Sequence, residues 1–285
     1  MRLCVIGNSH VGMLRAAARG LGPDGPELTF FAKAGAGLEK ARIRGSTITA
    51  TDPDLRAAQA RFGMPAAVDV ATFDATIFVA GTASIYSALR ILQSFRVSGW
   101  PSCDVEREDG ASCGSNQRER ALVSEPAFVA TLADEARRGF SHTFASALRR
   151  ASSGPMYLVP QPFPSERVFD TARPRDYGFL RARMNGDGAA IAAGLKHAID
   201  QAFGDIDDIT VLHQPQDTVA HGFTTARAYA RDAVRVDGDT PQHATDLLHV
   251  GPAFGQRVLA RVVASLNRVA TAVPAAGSVG LGAAS

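Results

Sequence analysis

Cysteine is scarce in this chain of 285 residues, which has only 3. So few cysteines give no disulfide framework, and Cys4 lies inside an apolar run, where a thiol is an inert core residue. Cys103 and Cys113 can form a local disulfide only in an oxidising compartment, and the cytosol favours the reduced pair. Without neighbouring ligands, the two also make a poor zinc site.

Long apolar runs and an excess of one charge are also missing. No stretch approaches the roughly 20 apolar residues that span a membrane. The net charge is +2, from 30 basic and 28 acidic residues, so there is no general attraction to nucleic acid or to anionic membranes. The first apolar residues already belong to a predicted strand, so we expect no signal peptide before the fold. The sequence therefore predicts a cytoplasmic protein without a nucleic-acid or membrane partner.

Hydrophobic residues make up 46% of the chain, which is ample for a large core. Short apolar runs alternate with helical patterns, which favours an α/β fold with a parallel sheet and helices on both faces. We predict a single domain over residues 1–270, with insertions near 38–74, 98–121 and 213–245, and a flexible tail over 271–285. Five strands are predicted, at residues 3–6, 27–32, 75–80, 156–159 and 209–212.

Three further expectations concern local structure. Ser124 should open one long helix whose buried stripe runs from Phe128 to Leu148. The insertion at 98–121 reads equally well as a lid or as a plain surface loop. The arginine-rich stretch 165–186 is expected to be irregular.

The first strand ends in the sequence Gly7-Asn8-Ser9-His10-Val11-Gly12, which places Ser9 where a strand gives way to a helix. In open α/β sheets, ligands and reacting groups collect at that edge. A serine there is either a helix N-cap or a nucleophile. The segment also allows a non-catalytic module that cradles an anion, although it has neither the P-loop pattern nor Gly-x-Gly-x-x-Gly.

Near the other end of the chain, Asp246 and His249 lie three residues apart and can share one face of a turn. The carboxylate can then hold the imidazole in one tautomer, while the other ring nitrogen faces a hydroxyl. His243 is a third residue nearby that could bind a metal, but the spacing of the three residues matches no recognised zinc pattern. We therefore expect neither a metal nor a cofactor.

With a Gly-x-Ser block after the first strand and an Asp-x-x-His block before the last helix, the chain resembles the SGNH/GDSL hydrolases. The resemblance implies a three-layer α/β/α, flavodoxin-like sheet of order 2-1-3-4-5. It also implies that Ser9 is the nucleophile, His249 the general base and Asp246 its orienting carboxylate. The N–H groups of Ser9 and of a glycine after the second strand would bind the oxyanion. Gly35 and Gly37 both fit that position, and Gly37 is preferred.

The chain departs from the family pattern after the third strand. The family's third block is Gly-x-Asn, and Gly81 matches it, but Ala83 stands where the asparagine should donate to the oxyanion. Losing one such donor costs about 3–4 kcal/mol in other enzymes. Ser84 is the nearest replacement, and its competing role is to cap the next helix.

These features predict a serine esterase that cleaves a small O-acyl ester, such as an acetylated carbohydrate, through an acyl-enzyme. The partner would be a small-molecule or glycan ester. An O-acyltransferase with the same triad is one alternative. A non-catalytic, flavodoxin-like ligand-binding module is another, but it leaves Asp246 and His249 unexplained.

Overall fold

The computed structural model of the chain describes residues 1–103, 120–171, 173 and 176–272. The strands are β1 Arg2–Gly7, β2 Glu27–Ala32, β3 Arg42–Arg44, β4 Thr47–Thr49, β5 Ala67–Asp69, β6 Ala75–Val79, β7 Phe95–Val97, β8 Ala121–Val123, β9 Met156–Val159, β10 Ile209–Val211, β11 Val219–Ala220 and β12 Thr224–Thr225. The α-helices are α1 Gly12–Ala18, α2 Pro53–Arg61, α3 Ile85–Ser94, α4 Glu125–Arg138, α5 Phe140–Arg149, α6 Tyr177–Met184, α7 Gly188–Phe203, α8 Arg227–Ala230 and α9 Pro252–Ala272.

The central sheet has five parallel strands in the order β2-β1-β6-β9-β10. Numbered by their order along the chain, these strands read 2-1-3-4-5, so the predicted fold class and strand order are confirmed. Each predicted strand matches an observed one to within one residue at either end.

Both faces of the sheet are covered, as the three-layer prediction requires. Alternate residues of β1 enter different apolar clusters, because successive side chains of a strand point to opposite faces. Leu3 and Val5 pack with the cluster that contains α1 and α9, whereas Cys4 and Ile6 pack with the cluster that contains α3, α4, α5 and α7. Burial raises the pKa of the Cys4 thiol to about 12, which leaves it inert.

The insertion after β2 forms a small antiparallel sheet and a helix. Strands β3 and β4 form an antiparallel hairpin, and β5 extends it to three strands. Helix α2 starts after Asp52, whose side chain accepts hydrogen bonds from the N–H groups of Asp54 and Leu55, with Pro53 as the first helical residue. Gln59 of α2 ties the insertion to the central sheet, because its Nε2 donates to the carbonyl of Ala32 at the end of β2, at 2.9 Å.

The predicted long helix after Ser124 is wrong, because the chain breaks it into α4 and α5 at Gly139. Gly139 has extended backbone angles, and a Cβ at this position would lie 1.9 Å from the carbonyl oxygen of Gly81. A continuous helix would prevent this approach, which fixes the end of β6 against α5. Ser141 Oγ also donates to the carbonyl of Ala80, at 2.6 Å.

One segment expected to be irregular contains regular structure. Helix α6 lies within the arginine-rich stretch, and the side chain of Phe179 on one face of this helix is fully buried. Strands β7 and β8 form a parallel pair at the two ends of the 98–121 insertion. Cys103 is buried and its thiol donates to the carbonyl of Val97, whereas Cys113 lies outside the described residues, as do most of 98–121 and the predicted tail beyond 272.

No helix within the described ranges is long and apolar enough to cross a membrane.

Candidate active site

Ser9 lies two residues after the end of β1, at the start of a short 3-10 turn that leads into α1. Asn8 holds this turn, because its Oδ1 accepts from the N–H of His10 and its carbonyl accepts from the N–H of Val11, both at 3.1 Å. Gly7 makes the turn possible, since a Cβ there would lie 2.6 Å from Cγ1 of Val11. The turn therefore sets Ser9 at the carboxyl edge of the parallel sheet, where the sequence places it.

The structure brings Ser9, His249 and Asp246 into a continuous hydrogen-bonded chain. His249 Nε2 lies 2.9 Å from Ser9 Oγ, and His249 Nδ1 lies 2.7 Å from Asp246 Oδ2. The other carboxylate oxygen of Asp246 accepts from the backbone N–H groups of Leu248, at 2.7 Å, and of His249, at 2.9 Å. This local turn orients the carboxylate before it meets the imidazole.

Packing between the first and last helices joins residues that are 240 positions apart in the chain. Met13 of α1 and Phe254 of α9 belong to one apolar cluster. Glycines allow the backbones to approach closely: a Cβ at Gly255 would lie 2.2 Å from the carbonyl oxygen of Met13. Just before α9, Gly251 packs in the same way against the residue that follows α8: a Cβ at Gly251 would lie 1.7 Å from the carbonyl oxygen of Arg231. The position of His249 over Ser9 thus depends on this tight helix contact.

Hydrogen bonding controls the charge of Asp246. Burial by itself favours the neutral acid, but the hydrogen bonds from the His249 ring and from two backbone N–H groups outweigh it and lower the Asp246 pKa to about 2. The carboxylate is therefore ionised at neutral pH and accepts the proton on His249 Nδ1. In that tautomer, Nε2 carries a lone pair that faces the Ser9 hydroxyl.

His10, next to Ser9, is buried and stacks on the His249 ring. The ring centroids are 4.7 Å apart and the planes make an angle of 28°. Its Nδ1 has no hydrogen-bond partner among the described residues. Burial, with a smaller contribution from the charge of His249, lowers the His10 pKa to about 3, so the ring is neutral at pH 7. His10 is thus a buried neighbour of His249 and not part of the cleft wall.

The loop after β2 places the two candidate glycines differently. Gly35 is exposed and lines the cleft that contains Ser9, whereas Gly37 is buried and does not. The N–H of Gly37 donates to both carboxylate oxygens of Glu39, at 3.0 and 2.9 Å. A donor engaged by a carboxylate cannot serve an oxyanion in the same conformation. The geometry thus favours Gly35 over the sequence-based preference for Gly37.

Ala83 and Ser84, the two residues considered as oxyanion donors after β6, both have structural roles. Ala83 is 1% exposed and belongs to the large apolar cluster, so its Cβ lies in the core. Ser84 is the N-cap residue of α3; its backbone N–H donates to Ser87 Oγ at 3.2 Å, and the two hydroxyl oxygens are 3.5 Å apart. Ser84 thus occupies the position expected of a helix cap.

A cleft of about 430 Å³ opens beside Ser9 and His249. Its other walls come from the loop after β2, the C-terminal end of α2 and the segment before Asp246; the lining residues there are Ala34, Gly35, Arg61, Phe62, Arg235, Val236, Asp237, Thr240 and Gln242. Most of these side chains are polar or charged. Most of the surface that lines the cleft is nonetheless apolar, so the cleft can hold the apolar part of an ester beside its charged groups.

Most of this lining was not anticipated from the sequence. Residues 213–245 read only as a long polar connection, and no local pattern predicts that positions 235–242 reach Ser9. Arg61 and Phe62 lie at the C-terminal end of α2, at least 173 positions before that segment in the chain. Only long-range packing brings the two walls together.

The histidine near Asp246 is engaged locally. His243 Nδ1 lies 2.8 Å from the hydroxyl oxygen of Thr245 and accepts from its backbone N–H at 3.2 Å. Within the described part of the chain, no group of three or more His, Cys, Asp or Glu side chains is arranged to hold a metal ion.

Neither a scan against protein-family models nor a search of curated proteins finds a match to this chain. Among solved structures, the chain is similar to the lipase Lip_vut3 from a goat rumen metagenome. The two share 9% identity over 93% of this chain and 97% of that one, with a TM-score of 0.39. A similarity this low says nothing about activity, for which the geometry at Ser9 is the guide.

Proposed function

We propose that the protein is a serine esterase that cleaves a small O-acyl ester, of the kind found in acetylated carbohydrates. The observation that carries this proposal is the hydrogen-bonded chain Ser9–His249–Asp246, with 2.9 and 2.7 Å between successive partners. A serine hydroxyl, an imidazole and an ionised carboxylate in this order form the set that activates a serine for attack.

In the proposed first half-reaction, Ser9 Oγ attacks the acyl carbonyl and its proton passes to His249 Nε2. Asp246 keeps the ring oriented and stabilises the imidazolium that forms. The tetrahedral intermediate then collapses: the bond from carbon to the alcohol oxygen breaks, and His249 returns the proton to the leaving alcohol. The product is an acyl ester on Ser9.

In the second half-reaction, His249 removes a proton from water as its oxygen attacks the acyl carbon. The bond from this carbon to Ser9 Oγ then breaks, His249 returns the proton to Ser9 Oγ, and the acid leaves. An alcohol in place of water would give acyl transfer by the same steps, so the product acid or the acylated acceptor identifies the physiological reaction. The backbone N–H of Ser9 and that of Gly35 are the proposed donors to the oxyanion.

The test combines turnover and labelling. Purified protein should hydrolyse p-nitrophenyl acetate, and a fluorophosphonate should label Ser9 alone, as mapped by peptide mass spectrometry. Ser9→Ala should lose both activities while keeping the wild-type circular dichroism spectrum and melting temperature. Ser94→Ala, which changes an exposed serine on α3, is the matched control. Label on another serine, or full turnover by folded Ser9→Ala, would contradict the proposal.

A further inference from the structure

The cleft beside Ser9 carries an unbalanced positive charge. Arg61 and Arg235 line it from two different segments of the chain, and both side chains are exposed. Among the described residues, neither makes an ion pair; the guanidinium of Arg61 lies over the ring of Phe62, 5.5 Å from its centroid. Two guanidinium groups are thus available beside the proposed nucleophile.

A third arginine holds the two walls at a fixed separation. The half-buried Arg15 of α1 donates from Nη2 to the carbonyl of Phe62, at 2.8 Å, and from Nη1 to the carbonyl of Val236, at 3.2 Å. Gly238, with φ of +80°, packs against the Arg15 side chain, where a Cβ would lie 2.8 Å from Cγ. Since Arg15 bonds the backbone next to both Arg61 and Arg235, the cleft is a preorganised feature of the fold.

Asp237, the acidic residue that lines the cleft, already accepts hydrogen bonds from its own turn. Asp237 Oδ1 accepts from the N–H groups of Asp239, at 2.9 Å, and Thr240, at 2.8 Å. Burial opposes its ionisation, but the hydrogen bonds from Thr240 and Asp239 and the positive charge of Arg15 together lower the Asp237 pKa. Asp237 therefore balances Arg15 and shapes the turn, which leaves the charges of Arg61 and Arg235 uncompensated.

We propose that this cleft binds an anionic ester, in which a carboxylate or phosphate on the acyl or alcohol part is held by Arg61 and Arg235. Guanidinium groups bind such anions through charge-assisted hydrogen bonds, often in pairs. The inference rests on the proposed esterase function for its role in turnover, and it names the substrate class of that same site.

Matched ester pairs test the inference in turnover. Mono-p-nitrophenyl adipate and p-nitrophenyl hexanoate differ by one carboxylate in the acyl part, and 4-acetoxybenzoate and 4-acetoxybenzamide by one charge in the alcohol part. In at least one of the two pairs, kcat/KM at low salt should be about tenfold higher for the anionic ester than for its neutral partner. A hydrogen bond to a charged group is worth that much or more. The preference should shrink in 0.5 M sodium chloride, because exposed charges are screened.

The double variant Arg61→Gln/Arg235→Gln should bring the anionic-to-neutral ratio of kcat/KM close to one. Arg44→Gln, which removes an equally exposed arginine of β3 outside the cleft, should keep the wild-type ratio. A wild-type ratio near one for both pairs, or a ratio that survives in the folded double variant, overturns the inference. If neutral esters are turned over in either case, the esterase proposal stands.

Binding to the Ser9→Ala protein gives a second reading that needs no turnover. Isothermal titration should show adipate binding at least about tenfold more tightly than the neutral adipamide, and the two arginine substitutions should remove that difference. Equal binding of adipate and adipamide, or no binding of either, overturns the inference. Preferential adipate binding by a protein that hydrolyses no ester would support the anion site while rejecting the esterase proposal.

Discussion

The imidazole rings of His10 and His249 lie stacked, with centroids 4.7 Å apart and planes 28° from parallel. One ring is hydrogen-bonded at both nitrogens, to Ser9 and Asp246, whereas the other is buried with an unpartnered Nδ1. A buried polar atom without a partner costs about 1–3 kcal/mol. Because its flat face contacts the His249 ring and its lowered pKa keeps it neutral at pH 7, we interpret His10 as a flat, neutral support that fixes the plane of His249. A phenyl ring would keep the flat face without that cost.

We expect His10→Ala to lower kcat about tenfold, because an imidazole free to tilt spends less time aligned with Ser9 Oγ. KM should change little, since His10 does not line the cleft. His10→Phe keeps a flat ring and should restore most of kcat, with the wild-type pH profile. Equal losses in the two folded variants would show that the stacked ring is not what matters. Steady-state kinetics from pH 5 to 9 provide the measurement.

The same residue predicts a loss of stability in acid. The unfolded chain protonates His10 near its ordinary pKa of 6.5, whereas the folded state does so only near about 3. The folded state thus binds fewer protons between these values, and the free energy of unfolding should fall as pH drops from 6.5 toward 3. Asp246, with a folded pKa of about 2, should add a further loss below pH 4.

Urea denaturation at pH 7.5 and pH 4.5 checks this expectation. His10→Phe should lose less stability between the two values than the wild type does. His197→Gln, which replaces an exposed histidine of α7, should behave like the wild type. Burial also lowers the pKa values of His142 and His213, but both remain in every variant, so the difference isolates His10. The same loss in His10→Phe and in the wild type would refute this assignment.

Asp246→Asn should reduce kcat by a factor on the order of 10⁴ with little change in fold. The amide cannot hold the proton on His249 Nδ1 as the carboxylate does, so the wrong tautomer would face Ser9. Stopped assays with p-nitrophenyl acetate measure the change, and Asp239→Asn is a control at an exposed aspartate outside the triad. A loss of less than tenfold would mean that Asp246 only shapes its turn.

Glu39→Ala tests which glycine donates to the oxyanion. The substitution releases the N–H of Gly37, which now donates to the Glu39 carboxylate. Because Gly35 and not Gly37 lines the cleft, turnover should stay within about twofold of wild type; one gained oxyanion donor would instead change it by on the order of a hundredfold. An increase of that size would restore Gly37 as the donor. Initial rates on p-nitrophenyl acetate distinguish the two outcomes.

Ala83→Asn should destabilise the protein and should not raise turnover. The Ala83 side chain lies in the apolar core, so an amide there would be buried without partners, at a cost of about 1–3 kcal/mol. Ser84→Ala should cost about 1 kcal/mol through the lost cap of α3, with unchanged turnover per folded molecule. Thermal melts and active-site titration separate the two effects. A gain in turnover for Ala83→Asn, or a hundredfold loss for Ser84→Ala, would point to an oxyanion donor at this turn.

Local sequence patterns were sufficient to predict the strands of the central sheet and the residues of the candidate triad. The five apolar runs and the turn from Gly7 to Ser9 at the end of β1 each depend on neighbouring residues, and each lies where the sequence predicts it. Asp246 and His249 are also a local pair, because one turn of backbone brings the carboxylate to the ring. These features are decided by backbone conformation and hydrophobic periodicity, both of which can be read from a short window.

Contacts between distant segments decided the rest. The local sequence predicts one continuous helix through Gly139. The helix breaks there because the backbone of Gly81 packs directly against Gly139. The walls of the cleft come from the end of α2 and from residues 235–242, joined through Arg15, and no periodicity links them. Whether Gly35 or Gly37 reaches the cleft, and whether His10 faces solvent or His249, also depends on how separate elements pack. The sequence therefore determined the strands and the reactive residues, and tertiary packing decided what surrounds them.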